Sequence, residues 1–270
     1  MKSVTTMRER VQKVLARCGH GSRRQIETLI GSGRISVNGA VAALGDNLKS
    51  GDRVSVDGQR FRVVDNAPDP PRVLAYHKPE GEICTRRDEQ GRKTVYESLP
   101  RLRRARWISV GRLDFNTSGL LLFSDDGALV DALAHPRRGI EREYAVRVRG
   151  EVTDSALASL TQGIRLEGET ISFKSLEFRG GEGSNRWYHV VLSEGRNREV
   201  RRMWEAVGAR VSRLTRVRYG PLALPRSLRL GDYMDVKGLD LANLLSAAGW
   251  RESAGDSQLS VQREKRSRRR

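Results

Sequence analysis

A chain of 270 residues with 50 Lys and Arg against 33 Asp and Glu carries a formal charge of +17 at pH 7. This length accommodates one large domain or a large and a small one, and the charge indicates a polyanionic partner, because basic proteins attract polyanions and release their counterions. The two cysteines, Cys18 and Cys84, lie far apart without CxxC spacing, so the sequence indicates buried free thiols rather than a disulfide framework or a thiolate zinc site.

The hydropathy of the chain gives no sign of a membrane span or of a secretion signal. No stretch approaches the roughly 20 consecutive apolar residues of a membrane helix, and the N-terminus lacks the apolar core of a signal peptide. We therefore expect a soluble, cytoplasmic protein that does not bind a membrane.

The first predicted elements are two helices followed by short strands, within residues 8–66. Apolar residues recur at helical spacing in the first helix, at Val11, Val14, Leu15 and Cys18. Ser22 and Gln25 form a capping-box pattern that starts the second helix. The dipeptides Asn38-Gly39 and Asp57-Gly58 are typical hairpin turns between strands. This order predicts a small, self-contained domain.

The helical part of this domain is basic. Seven Lys and Arg residues lie between Arg8 and Arg34, against Glu9 and Glu27. A solvated helix face is the alternative interpretation, but the charge of the whole chain favours binding to an RNA backbone. The candidate RNA-binding residues are Lys13, Arg17, Arg23 and Arg24.

Residues 67–71 are rich in proline and predict an extended linker, and a larger domain is predicted over 72–250. Its predicted strands and helices do not alternate regularly, which favours an α+β fold with a mixed or antiparallel sheet. The predicted strands include Val73–Tyr76, Trp107–Val110, Leu120–Phe123, Tyr144–Val148, Thr170–Phe178, Trp187–Leu192 and Leu214–Tyr219. Six of the last eight residues are basic, and we predict that the tail over 251–270 is disordered and binds RNA non-specifically.

A polar loop between two apolar segments contains Asp114. In this position a carboxylate is presented at the rim of a sheet rather than buried within it. Taken by itself, the loop is also consistent with an ion pair between Arg112 and Asp114, followed by ordinary turn residues.

Gly111-Arg112-Leu113-Asp114, followed by Asn116 to Leu121, resembles the catalytic loop of the ribosomal small-subunit and large-subunit pseudouridine synthases. The stretches Glu141 to Tyr144 and Glu194 to Met203 are similar to two later motifs of that family, in the same order. The N-terminal domain resembles the S4-like RNA-binding domain of its members. Tyr76 to Cys84, and Glu199 where other members commonly carry Gln, resemble a subgroup that acts on large-subunit ribosomal RNA.

This resemblance implies an isomerase that detaches uracil from C1′ of ribose and rejoins it through C5, with no cofactor and no metal. It assigns the nucleophilic carboxylate to Asp114, a guanidinium that keeps it ionised to Arg201, and an arginine that helps to lock the loop to Arg112. Tyr144 is expected to lie against the base and to pass a proton. The uridine has to leave the helical stack to reach Asp114.

The same resemblance also implies which molecules the protein binds. Residues expected to contact phosphates flanking the site are Arg196, Arg198, Arg202 and Arg218. The expected partner is large-subunit ribosomal RNA or a pre-ribosomal particle, bound by a monomer. Two alternatives stay open: the same reaction on small-subunit RNA or tRNA, and a non-catalytic RNA-binding factor of ribosome assembly.

Overall fold

The computed structural model describes residues 7–66, 70–102, 105–183, 185–250 and 258–264. Its helices are α1 Val11–Arg17, α2 Arg23–Gly31, α3 Gly127–Ala134, α4 Asp154–Gln162, α5 Glu199–Ala206 and α6 Gly238–Ala247, with a 3₁₀ turn at Pro136–Arg138. Its first strands are β1 Glu9–Arg10, β2 Ile35–Val37, β3 Ala40–Val41, β4 Asn47–Leu48, β5 Arg53–Val56, β6 Gln59–Asn66, β7 Val73–Lys78, β8 Ile108–Ser109 and β9 Ser118–Ser124. The others are β10 Arg142–Arg149, β11 Ile164–Leu166, β12 Glu169–Ile171, β13 Ser175–Glu182, β14 Asn185–Leu192, β15 Arg210–Tyr219, β16 Leu222–Ala223, β17 Tyr233–Val236 and β18 Gln258–Arg263.

The described residues form two compact units. The first contains the described residues 7–66, 70, 101–102, 105–106 and 258–264, and the second contains 71–100 and 107–250, without residue 184. None of the helices in the described part of the chain is long and apolar enough to cross a membrane.

In the first unit, two helices pack on one face of a sheet with the order β18-β6-β5-β2-β3. The predicted capping box is confirmed, because the Ser22 hydroxyl accepts from the Gln25 main-chain N–H and the Gln25 side chain accepts from that of Ser22. Helix and strand residues share one apolar core, which includes Val11, Leu15, Ile26, Ile30, Ile35, Val54, Phe61 and Val63. The order of helix, helix and strands is as predicted, except that the two-residue strand β1, which pairs with β4, precedes α1.

The prediction of a disordered tail over 251–270 is wrong for the strand β18, while 251–257 and 265–270 lie outside the described residues. Strand β18 pairs antiparallel with β6, at the edge of the N-terminal sheet. Leu259 is 0% exposed within the core of this unit. The Arg17 guanidinium donates to the Leu259 carbonyl, and the Val261 N–H donates to Cys18 Sγ at 3.4 Å. Burial of apolar side chains and edge pairing outweigh the polar composition here.

Leu259→Ala should therefore destabilise the first unit by about 2 to 5 kcal/mol, the usual effect of truncating a fully buried leucine. The measurement is chemical unfolding of the full chain, followed by circular dichroism. Gln262→Ala, at an exposed position of the same strand, is the matched control and should change stability by less than about 0.5 kcal/mol. Equal stabilities of the two variants would show that β18 does not contribute to this core.

The second unit is built on a sheet that has nine strands among the described residues, with the main order β13-β14-β10-β15-β9-β7-β17. Pairing along this path is antiparallel except between β9 and β15, which run parallel. Helix α3 packs on the core formed beneath β7 and β9. The predicted α+β class, with a mixed sheet, is confirmed.

Two local predictions differ from the structure in this unit. The predicted strand Thr170–Phe178 is two strands, β12 and β13, because the chain turns at Phe173, whose N–H donates to the Leu160 carbonyl at 2.8 Å. Strand β17 and helix α6 were not predicted, and β17 is an edge strand without a regular apolar alternation.

The parallel junction explains one glycine of the loop motif. Gly119 has φ +109°, and a Cβ built on it would lie 2.3 Å from the main-chain oxygen of Arg216 on β15. Only glycine permits this close approach of β9 and β15. The approach brings the loop that precedes β9 next to β15.

Candidate active site

A pocket of about 150 Å³ lies in the second unit, where the loop before β9 meets β10, β14, β15 and the start of α5. The residues that line it include Arg112, Asp114, Thr117, Arg142, Tyr144, Leu192, Arg198, Glu199, Leu214 and Arg216. Asp114 and Tyr144, which are far apart in sequence, therefore lie at one cavity.

The loop that carries Asp114 is held through its main chain. Each of the five carbonyls from Leu113 to Thr117 accepts a hydrogen bond from outside the loop. Lys78 Nζ donates to Asp114 O at 3.1 Å and to Thr117 O at 2.9 Å. The other three donors are Cys84 Sγ to Leu113 O at 3.3 Å, the Gly81 N–H to Phe115 O at 2.8 Å, and Arg201 Nη2 to Asn116 O at 2.7 Å. Five consecutive anchored carbonyls leave the loop little freedom, so the main chain that carries Asp114 is held in one conformation before any ligand binds.

Two buried cations provide three of these five anchors. Lys78 is 0% exposed, and its Nζ also donates to the Pro79 carbonyl at 2.8 Å. Arg201 is 6% exposed and donates to Val211 O on β15 as well as to the loop. Burial lowers the pKa of both groups, because it removes water from the charged form. Both positive charges interact favourably with the charge of Asp114.

The register of β10 against β15 sets the opposite wall of the pocket. Tyr144 pairs directly with Arg216 across the two strands, and both are buried, at 8% and 2% exposed. Arg216 Nε donates to the Leu120 carbonyl at 2.7 Å, which ties β15 to β9. Arg142, two residues before Tyr144 on the same face of β10, lies over the Tyr219 ring at 5.2 Å. The pocket is therefore lined by two aromatic rings, Tyr144 and Tyr219, and by the two buried guanidinium groups of Arg142 and Arg216.

The sequence did not identify three residues that this geometry makes prominent: Lys78, Arg142 and Arg216. Lys78 and Arg142 fall within the motifs, but a motif does not reveal what a side chain contacts. Arg216 and Arg218 lie two residues apart on β15. Arg216 lines the pocket and Arg218 does not, and only the strand register in the folded protein distinguishes the two.

Arg112 does not lock the loop in this structure. Its side chain is exposed at the rim of the pocket, and within the described residues it makes no hydrogen bond or ion pair. No ion pair joins Asp114 to Arg112 or to Arg201 in the described part of the chain. Among the described residues, the groups that hold the loop carbonyls belong to Lys78, Gly81, Cys84 and Arg201 and not to Arg112.

The eight candidate RNA-binding residues divide into two groups. Arg23, Arg24 and Arg198 are exposed and have no side-chain partner among the described residues. The other five form ion pairs: Lys13 and Arg17 with Glu9, Arg196 with Glu194 and Glu169, Arg202 with Glu167, and Arg218 with Glu141 and Glu143.

Arg218 shows how such pairing restricts a role in binding. Its guanidinium donates to Glu143 at 2.9 Å and to Glu141 at 3.2 Å, and Glu143 also contacts His189 at 2.7 Å. Although burial opposes it, hydrogen bonding to these carboxylates raises the pKa of Arg218. The charge of Arg218 is thus largely neutralised within the fold.

One further carboxylate lines the pocket. Glu199, at the start of α5, is 6% exposed and accepts from the Arg196 main-chain N–H at 3.0 Å. Burial raises its pKa, because the charged form loses water. Within the described ranges, no three His, Cys, Asp or Glu side chains come close enough together to hold a metal ion.

The family comparisons match both units. The family model described as RNA pseudouridylate synthase matches residues 72–206, and the S4 domain model matches residues 9–60. A protein named ribosomal large subunit pseudouridine synthase B from Salmonella typhimurium is 54% identical over 265 residues, which are 97% of this chain and 90% of that protein. Its namesake from Escherichia coli (strain K12) is 57% identical over 238 residues, covering 87% and 81%. The namesake from Yersinia pestis is 53% identical over 232 residues, covering 85% and 73%.

A solved structure supports the fold. It is titled "Crystal structure of pseudouridylate synthase" and superposes with a TM-score of 0.60 at 24% identity, over 87% of this chain and 99% of that one. The similarities in sequence identify the family independently of this fold match. The predicted family and the S4-like domain are confirmed, and the chain belongs to the RNA pseudouridine synthase family.

Proposed function

We propose that this protein isomerises uridine to pseudouridine in large-subunit ribosomal RNA, with Asp114 as the reactive carboxylate. The observation that carries the proposal is the loop from Leu113 to Thr117, whose carbonyls are all anchored and which presents Asp114 at the same pocket as Tyr144. The relatives named for the large ribosomal subunit support that substrate.

The reaction requires a nucleophile or base that is held in place, and a site for a base that has left its stack. The Asp114 carboxylate meets the first requirement. The Tyr144 ring offers a surface for the uracil, and its hydroxyl is a proton donor and acceptor at the pocket. The positive charge of Arg201 stabilises the negative charge on Asp114, and that of Arg216, which lines the pocket, stabilises negative charge on the uracil as its bond to C1′ breaks.

The substrate strand has to pass over the mouth of this pocket. Arg112 and Arg198 line the pocket, are exposed and lack partners among the described residues, so they are suited to hold the phosphates on either side of the flipped uridine. The proposal also includes a monomer that acts in the cytoplasm on ribosomal RNA or on a pre-ribosomal particle.

The test is incubation of the purified protein with transcripts of large-subunit RNA, small-subunit RNA and tRNA, without any added cofactor. Pseudouridine is mapped by carbodiimide-dependent stops of reverse transcription. We expect a new stop in large-subunit RNA alone. Stops confined to small-subunit RNA or tRNA would contradict the substrate, and no stop on any transcript or on isolated large-subunit particles would contradict the enzymatic function.

A further inference from the structure

The N-terminal sheet has one face that the helices leave uncovered. Along β5 and β6 the side chains alternate, so Val54, Val56, Phe61 and Val63 enter the core shared with α1 and α2. The intervening residues Arg53, Ser55, Arg60 and Arg62 therefore point to the opposite side of the sheet. This outer sheet face is separate from the exposed arginines at the start of α2.

Strand pairing gathers the arginines of this face. Arg53 on β5 lies directly opposite Arg62 on β6, and Arg60, opposite Ser55, is the diagonal neighbour of Arg53. Arg60 and Arg62 make no side-chain hydrogen bond or ion pair with any residue that the structure describes. Like charges directly opposite one another destabilise a sheet, so local stability does not explain why the arginines lie here.

The outer sheet face is also concave. The three arginines line an open depression of about 700 Å³ together with Ser36, Ser55 and the turn residues Asn38 and Gly39. Among the described residues, the one carboxylate that lines it is Glu264, which follows β18 and lies 3.6 Å from Arg53. The depression therefore keeps a net positive charge and has serine hydroxyls as further hydrogen-bond donors.

We infer that the outer sheet face is a second RNA-binding surface, which holds the phosphodiester backbone of the substrate RNA. The identity of that RNA rests on the proposed function, whereas the surface itself rests on the unpaired arginines, their cross-strand clustering and the concavity. Guanidinium groups bind phosphate oxygens through several donors at once. The negative charge of a phosphate bound between Arg53, Arg60 and Arg62 relieves the mutual repulsion of these arginines. A neutral or basic partner would leave that repulsion in place.

The test compares Arg60→Gln/Arg62→Gln with Arg149→Gln/Arg210→Gln in the full-length protein. Arg149 and Arg210 are exposed arginines that pair across two strands of the second unit, so the control removes the same charge from exposed strand positions. Affinity for a large-subunit RNA transcript is measured by filter binding from about 50 to 200 mM salt, and thermal unfolding is recorded for each variant.

For Arg60→Gln/Arg62→Gln we expect about tenfold weaker RNA binding. The slope of log affinity against log salt concentration should be less steep by about 1 to 2 units, because the variant loses phosphate contacts. Its unfolding temperature should be unchanged or higher, because charge repulsion is relieved.

Affinity and salt slope equal to wild type would overturn the inference, and this is also the result expected if the face binds a protein. An equal loss in the Arg149→Gln/Arg210→Gln control would overturn it as well, since the effect would then come from net charge. The binding measurement requires no isomerisation. A protein that forms no pseudouridine but loses RNA affinity in Arg60→Gln/Arg62→Gln would therefore contradict the proposed function and leave the second surface supported.

Discussion

Asp114→Asn should lower the rate of pseudouridine formation by at least about 10⁴-fold, the scale on which removal of a catalytic nucleophile acts. The amide has the shape of the carboxylate but lacks its charge and nucleophilicity. The loop should keep its conformation, because its anchors act on main-chain carbonyls and not on the Asp114 side chain. RNA affinity should therefore stay within about threefold of wild type. Single-turnover assays and filter binding measure the two quantities.

Asp131→Asn is the matched control for this variant, because Asp131 is an exposed residue of α3. It should isomerise uridine at the wild-type rate. Product formation by Asp114→Asn within about tenfold of wild type would remove Asp114 from the reaction. A large loss of RNA affinity would instead show that the charge of Asp114 contributes to binding.

Lys78→Met should lower the isomerisation rate by about 100-fold or more, although Lys78 is 0% exposed and contacts the loop only through its main chain. The substitution keeps much of the side-chain volume and removes the three donors that bind Pro79 O, Asp114 O and Thr117 O. A displacement of the reactive group by about 1 Å is sufficient for a loss of this size. Unsatisfied buried carbonyls should also lower stability by about 2 to 4 kcal/mol.

Lys237→Met is the control, because Lys237 is 79% exposed and lies 3.9 Å from Asp235. A surface pair of this kind contributes about 0 to 1 kcal/mol, so the control should keep both its rate and its stability. Rates are compared below the unfolding temperature of each variant, which separates loss of loop geometry from loss of fold. A folded Lys78→Met protein with the wild-type rate would show that the other anchors position Asp114 without Lys78.

Local sequence signals were sufficient for much of the secondary structure. The Ser22 and Gln25 pattern predicted the start of α2, since a capping box is a contact between residues three apart. The strand-rich pattern of the larger domain predicted the positions of β7, β10 and β14. In β10 every second residue is buried, because strand side chains repeat every two residues. The motif around Asp114 indicated the family, which the comparisons confirm.

The sequence was less informative wherever a residue acts on a distant part of the chain. Lys78 contacts the loop 36 and 39 residues away, and Arg201 contacts Asn116 at a separation of 85. Arg17 and the Leu259 carbonyl are 242 residues apart. Helical and strand periodicity describe only near neighbours, so they gave no indication of these contacts.

By itself, then, the sequence determined the charge, the order of most elements, the family and the reactive Asp114 as a candidate. The tertiary structure determined which cations hold the loop, that Arg216 rather than Arg218 lines the pocket, and that β18 completes the N-terminal sheet. The physical reason is that hydrogen bonds to main-chain carbonyls and the pairing of edge strands depend on the packing of the whole unit, whereas capping and alternation depend on adjacent residues.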